Sequence, residues 1–274
     1  MNVAIIAICR GTKSGGTAMA ECLAERLGYP SLGREVIQDA AVQLGVSAEL
    51  LEQKMSGRPS LWSRFSAMRR AYIVAVQAAL AERAAEANLV YHGLAGGLLL
   101  RGAPATVCVR LIAPLEQRIQ AVMSESEMDR ATAERYILDV DQARARWVKA
   151  MYDEDIMDPG LYDLVIRLGP ITVEGACAVV AKVVAQPEFA ITDDVHAALH
   201  DFLTACRVRL ALVRETELRA LDLDVAVKGG VAEVTGEAPL LKTGRVGNRI
   251  VELAREVPGV EQVRLKVEWF DPYP

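Results

Sequence analysis

The chain has 274 residues, of which 52% are hydrophobic and 24% charged, and its formal net charge is −5 at pH 7. This composition is typical of a folded globular protein and excludes a disordered chain. The acidic balance argues against nucleic acid as a partner, and no apolar run is long enough for a transmembrane segment.

An apolar run of strand length opens the chain and leads at once into a glycine-rich turn. Helical spacing follows from Met19 to Leu27. Backbone N–H groups converge in such a turn, and the start of a helix adds partial positive charge. We therefore predict a phosphate-binding loop, and the alternative is a tight glycine turn without a ligand. The candidate binding residues are Gly11, Lys13, Ser14, Gly15, Gly16 and Thr17.

The loop departs from the common phosphate-loop pattern, G-x-x-x-x-G-K-[ST]. Gly11 and Gly16 have the required separation, but the next two residues are Thr17 and Ala18. The lysine that reaches the phosphates and the hydroxyl that holds Mg²⁺ are both absent from their usual positions. Lys13 offers a charge from another direction, and Thr17 offers a hydroxyl one place early.

Helical and strand patterns alternate from there to about residue 185. Helices are predicted at residues 34–44, 48–54, 61–87, 129–151 and 173–184, with a further one beginning at Pro114. Strands are predicted at residues 88–93, 105–112 and 164–168, and a turn at residues 57–60. Strands separated by helices predict an α/β domain, a parallel sheet with helices on both faces.

The pattern changes after Gln186-Pro187-Glu188, which predicts a division into domains of residues 1–187 and 188–274. The second part has the order α-β-β-α-β, which suits a small sheet with helices on one face. We expect an independent α+β module. Its predicted elements are residues 193–206, 223–227, 231–236, 240–257 and 263–269.

The cysteines and the N-terminus bear on the compartment. No basic region precedes the first apolar run, so we expect no signal peptide there and a cytoplasmic protein. The five cysteines are scattered and form no C-x-x-C pair. We expect them to be unpaired, small buried side chains in a reducing compartment.

The sequence offers little for a metal site made by the protein alone. The chain has three histidines, and His196 and His200 are four residues apart on a predicted helix. That spacing can hold a metal, but no acidic or cysteine partner with metal-site spacing accompanies it. We therefore expect no metal-binding residues.

Several segments of the first 185 residues follow one another in the order of a known family. Arg10 precedes the glycine loop, and residues 24–30 read Ala-Glu-Arg-Leu-Gly-Tyr-Pro. Further segments are Arg-Glu-Val-Ile at residues 34–37, Val-Arg-Leu-Ile-Ala-Pro at 109–114, Asp-Gln-Ala-Arg at 141–144 and Tyr-Asp-Leu at 162–164. Together they resemble the cytidylate kinase-like family of phosphate-loop nucleoside monophosphate kinases.

The resemblance implies a transferase that moves a phosphoryl group from ATP, with Mg²⁺, to a nucleoside monophosphate such as CMP. Positioning and charge neutralisation dominate such a reaction, and guanidinium forks suit phosphate oxygens. The candidate catalytic residues, in the lid region of the family, are Arg118, Asp141 and Arg144. The acceptor's phosphate would be held by Arg34 and Arg58. The alternative for these arginines is an ordinary solvated helix face.

Departures from the family leave a second function open. Gly33 stands where the family has an acidic residue, and Leu94 stands where an arginine usually follows the glycine that ends the middle strand. Thr17 and Ala18 replace an arginine and a glutamate. Loss of a preorganised charged group costs orders of magnitude in rate. The alternative function is a catalytically degenerate, kinase-like nucleotide sensor or scaffold.

The second part resembles a BON domain. Residues 229–237 read Gly-Gly-Val-Ala-Glu-Val-Thr-Gly-Glu, similar to the hairpin of that module. Residues 257–263 match its Val-x-Gly-Val-x-x-Val signature. The resemblance implies binding to a second copy or to a protein partner, and the alternative is a passive stabilising appendage. Without a basic amphipathic helix, membrane docking is not supported.

Overall fold

The computed structural model describes residues 4–49, 51, 66–85, 88–190, 192–239 and 243–270. A five-stranded sheet lies at the centre of the N-terminal part, with the strand order β2-β3-β1-β4-β5 and every neighbouring pair parallel. The strands are β1 (Ile5–Arg10), β2 (Ser31–Leu32), β3 (Leu89–Tyr91), β4 (Thr106–Ile112) and β5 (Leu164–Arg167). This confirms the predicted α/β architecture.

Helices cover both faces of this sheet because the side chains of β1 alternate between two cores. The helices are α1 (Gly16–Leu27), α2 (Glu35–Leu44), α3 (Ser66–Ala84), α4 (Gly96–Leu99), α5 (Leu115–Glu125), α6 (Arg130–Tyr152) and α7 (Val173–Val184). Ile6 and Ile8 face α1 and α7, whereas Ile5 and Ala7 face α2, α3 and α4. None of the helices in the described ranges is long and apolar enough to span a bilayer.

The predicted elements of this part agree with the observed ones to within a few residues where they can be compared. Two short elements, β2 and α4, were not predicted. They have two and four residues, too few for a periodic pattern. The predicted helix at residues 48–54 lies largely outside the described residues, and the predicted turn at residues 57–60 lies wholly outside them.

The C-terminal part has the predicted order α-β-β-α-β. Its elements are α8 (Asp193–Arg214), β6 (Asp222–Lys228), β7 (Val231–Pro239), α9 (Thr243–Arg255) and β8 (Gln262–Phe270). β6 and β7 form the predicted hairpin, and β8 pairs with β7 in parallel. Helix α8 runs beyond its predicted end because its apolar spacing continues through Val208 and Leu212 into the same core. The BON-like assignment and the boundary at residue 187 stay predictions.

Helix α8 contributes to two hydrophobic cores, one beside the large sheet and one beside the small sheet. One side packs with α3 in the core of the large sheet through Leu199, Leu203, Cys206 and Leu210. The other side packs against the small sheet and α9 through Ala205, Val208 and Leu212. Arg207 of α8 also binds Glu82 of α3 through two hydrogen bonds of 2.7 Å each. The small sheet is therefore attached to the large one through a shared helix.

One expectation about the cysteines is wrong. Cys22 in α1 and Cys177 in α7 form a disulfide, and their Cα atoms are 6.3 Å apart. The two residues are 155 positions apart in the sequence, and only the packing of α1 beside α7 brings them together. The remaining three, Cys9, Cys108 and Cys206, are free.

Candidate functional site

The turn between β1 and α1 forms the floor of the candidate site. Lys13 and Gly15 have φ angles of 55° and 78°, so the chain turns sharply before the helix. Gly15 is the N-cap of α1, and no described side chain caps the first amides of this helix. The first-turn N–H groups of a helix have no intrahelical acceptor. They therefore remain available to an outside acceptor.

Helices α5 and α6 bring three predicted residues to this turn. One oxygen of Asp141 accepts hydrogen bonds from the N–H and the O–H of Thr12, each at 2.8 Å. Arg118 Nε donates to the carbonyl oxygen of Thr12 at 2.7 Å, and its guanidinium forms an ion pair with Asp141. Arg144 Nη1 donates to Thr12 Oγ1 at 3.1 Å. The three candidate catalytic residues thus meet at one loop residue.

The side chains of this cluster are only partly shielded from solvent. The exposed fraction is 13% for Arg118, 30% for Asp141 and 31% for Arg144. Asp141 and Arg144 lie on one face of α6, as their spacing of three residues predicts, and Arg144 Nη1 lies 3.9 Å from Asp141 Oδ1. The Asp141 carboxylate already accepts the N–H of Thr12, so this donor is engaged within the protein.

The other predicted site residues differ in their surroundings. Lys13 is exposed and forms an ion pair with Glu125 at the end of α5. Thr17 is exposed in the first turn of α1. Arg34 is the N-cap of α2, and its charge acts on Arg10 at the end of β1. Arg58 lies outside the described residues.

Two glycines of the loop permit close approaches that a side chain would block. A Cβ on Gly11 would lie 2.8 Å from Ser14 Oγ and 3.3 Å from Arg118 Cζ. A Cβ on Gly16 would lie only 1.7 Å from Arg10 Cδ. Glycine at these two positions therefore lets arginines from β1 and α5 lie directly on the loop.

Arg10 and His92 also border the site, although neither was among the candidate residues predicted from the sequence. Burial, followed by the charges of Arg144 and Arg34, lowers the pKa of Arg10. Burial, followed by Arg10, lowers the pKa of His92, although Glu35 acts in the opposite direction. Their positions in the sequence could have identified them, because Arg10 ends one predicted strand and His92 lies at the end of another. Ligands bind at the carboxyl ends of parallel strands.

The residue that the family resemblance leads one to expect at position 33 has no room here. Gly33 is buried, and a Cβ on it would lie 2.8 Å from the ring of His92. Its N–H donates to Glu35 Oε2 at 2.7 Å. The carboxylate next to this turn therefore comes from residue 35.

The chain matches one family and is similar to several solved structures. The model of the Cytidylate kinase-like family matches residues 5–169. No curated protein matches the chain in sequence. An uncharacterised protein from Eubacterium ventriosum is 19% identical, with a TM-score of 0.51 over 66% of this chain and 98% of that chain. Shikimate kinase from Acinetobacter baumannii is 14% identical, with a TM-score of 0.40 over 66% and 93%.

Proposed function

The chain belongs to the cytidylate kinase-like family, and we propose that it binds nucleotide phosphates at the loop after β1 and transfers a phosphoryl group from ATP to a nucleoside monophosphate such as CMP. The observation that carries the proposal is the convergence of Arg118, Asp141 and Arg144 on Thr12. Thr12 and Asp141 are 129 positions apart in the sequence.

The proposed roles follow from the charge that a transferring phosphoryl group carries. Its oxygens need positive partners that are already in position. Backbone N–H groups from Ser14 to Thr17 bind the donor phosphates, and the guanidinium groups of Arg118 and Arg144 bind the group in transfer. Asp141 holds both arginines and releases the N–H of Thr12 when a phosphate takes its place.

The residues present fit ATP at this position. The uncapped start of α1 and the left-handed Gly15 form a cradle for phosphate. ATP, when bound, supplies the phosphoryl group. Mg²⁺ takes most of its ligands from phosphates and water, and Thr17 offers it a hydroxyl. Arg34 holds the phosphate of the acceptor.

The second candidate function is a nucleotide sensor or scaffold without turnover. Two observations favour it: Thr17 and Ala18 replace the usual lysine and hydroxyl residue, and Asp141 occupies the N–H of Thr12. In this case the C-terminal unit binds a second copy or a protein partner. Helix α8 packs in the core of the large sheet and in the core of the small sheet, and so links the C-terminal unit to the part of the chain that contains the candidate site.

A coupled assay with ATP and a panel of nucleoside monophosphates, run beside calorimetric titration of each nucleotide, separates the two functions. The informative variants are Arg118→Met and Arg144→Met. The control is Arg146→Met, because Arg146 is exposed on the same helix and donates only to Gln142, at 3.2 Å, among the described residues.

Turnover that falls by about 100-fold in Arg118→Met and is unchanged in Arg146→Met supports the kinase. Binding of a nucleotide without turnover supports the sensor and contradicts the kinase. A chain that binds no nucleotide contradicts the kinase and the sensor and leaves only the scaffold.

A further inference from the structure

Arg10 lies across the start of α1. It is the last residue of β1, and its Cδ lies 1.7 Å from the place that a Cβ on Gly16 would take. Its Nε lies 2.7 Å from the same point. The side chain thus runs against the backbone of the first helical residue, where the phosphates of a bound nucleotide would meet the helix.

One N–H of Arg10 has no acceptor among the residues that the structure describes. Its Nε is buried and has no hydrogen-bond partner there. The nearby side chains whose charges act on it most are Arg144 and Arg34, both positive. A buried donor without a partner in a native fold calls for an explanation, and a missing ligand is one of the usual ones.

The other cations at the loop are already engaged. Lys13 is paired with Glu125 on the exposed side of the turn. Arg118 binds the carbonyl of Thr12 and the carboxylate of Asp141. In the part of the chain that the structure describes, Arg10 is therefore the arginine at the loop whose Nε–H is buried and still without an acceptor.

We propose that Arg10 is the phosphate-binding cation of this loop, in place of the lysine that the common pattern puts at residue 17. It reaches the helix start from β1, and the absence of a side chain at Gly16 makes the approach possible. The ligand it fits is a phosphate group, because Nε and one Nη can bind two phosphate oxygens together, and in the proposed function that group belongs to the phosphoanhydride of the donor. The inference deepens the proposed function and rests on it for the identity of the ligand as a nucleotide.

The test uses the full chain and two probes, ATP and inorganic pyrophosphate, titrated by calorimetry. Arg10→Met removes the charge and keeps the length, and Arg10→Lys keeps the charge but loses the fork. Arg26→Met is the control, because Arg26 is exposed in the last turn of the same helix. We expect Arg10→Met to weaken binding of both probes by about 10-fold to 100-fold and Arg10→Lys to lie between.

A second measurement does not depend on the fold of a variant. The Nε–H signal of Arg10 in the nitrogen–proton NMR spectrum of the unaltered chain, assigned by its absence from Arg10→Lys, should shift when pyrophosphate is added. A signal that stays in place while calorimetry shows binding overturns the inference.

The outcomes separate this inference from the proposed function. If the unaltered chain and a folded Arg10→Met variant bind ATP and pyrophosphate with equal affinity, the role of Arg10 is overturned and nucleotide binding is left intact. Binding of pyrophosphate that depends on Arg10, without binding of ATP, supports the anion site and contradicts the nucleotide proposal. Binding of neither probe overturns both.

Discussion

Replacing Asp141 by alanine tests the cluster at the loop most directly. Its carboxylate accepts hydrogen bonds from the N–H and the O–H of Thr12 and forms the ion pair with Arg118. Asp141→Ala removes all three contacts. It also leaves the guanidinium of Arg118, which is 13% exposed, without its acid partner.

The expected loss follows from the character of these contacts. A hydrogen bond to a charged group contributes about 1.5–3 kcal/mol net, and a neutral one about 1 kcal/mol. Solvent reaches Asp141, whose side chain is 30% exposed, so water replaces part of what is lost. Alanine also favours the helix by about 0.5 kcal/mol relative to aspartate. We expect the free energy of unfolding to fall by about 2–3 kcal/mol.

Urea unfolding measures this change as a shift of the midpoint at constant slope. Asp139→Ala is the matched control, since Asp139 is exposed on the same helix and gains the same helix propensity. Its effect should stay within about 0.5 kcal/mol. If Asp141→Ala and Asp139→Ala unfold at the same urea concentration, the contacts of Asp141 with the loop are refuted.

Three further predictions concern other parts of the molecule. Thiol titration of the denatured chain should find three free thiols without reductant and five after reduction, because Cys22 and Cys177 are bonded; five without reductant would contradict the disulfide. Leu199→Ala should lower the free energy of unfolding by about 2–5 kcal/mol in urea, because Leu199 is 1% exposed in the core of the large sheet; a loss under about 1 kcal/mol would show that α8 is not packed there. The pKa of His92 is held below its usual 6.5 by burial and then by Arg10, so the unfolded chain takes up a proton first as the pH falls. The stability due to neutral His92 is thus complete above the pKa of the unfolded chain and is lost as the pH falls below it. The free energy of unfolding in urea should therefore change less between about pH 7.5 and about pH 5.5 in His92→Gln than in the unaltered chain. An equal change in the two proteins would contradict this.

The long elements could be predicted because their patterns repeat. Helix α7 shows several turns of apolar spacing and has the predicted bounds, and α6 differs from its prediction by one residue at each end. The strands of the large sheet have continuous apolar runs, typical of strands buried on both faces. The short β2 depends on its pairing with β3, which no local pattern records.

The site could be predicted only in part, for a related reason. Spacing along α6 placed Asp141 and Arg144 on one face, and the order of the motifs suggested that Arg118 joins them. The contact of all three with Thr12 depends on how α5 and α6 pack on the loop. The disulfide between Cys22 and Cys177 likewise depends on two helices that are distant in the chain.

The packing of α8 has a consequence for synthesis on the ribosome. All five strands of the large sheet are made before α8, the helix that covers part of α3, so the growing chain keeps an uncovered apolar strip during that interval. Exposed strips of this kind favour association between unfinished chains. The core beside the large sheet is therefore complete only once the chain has emerged as far as Arg214.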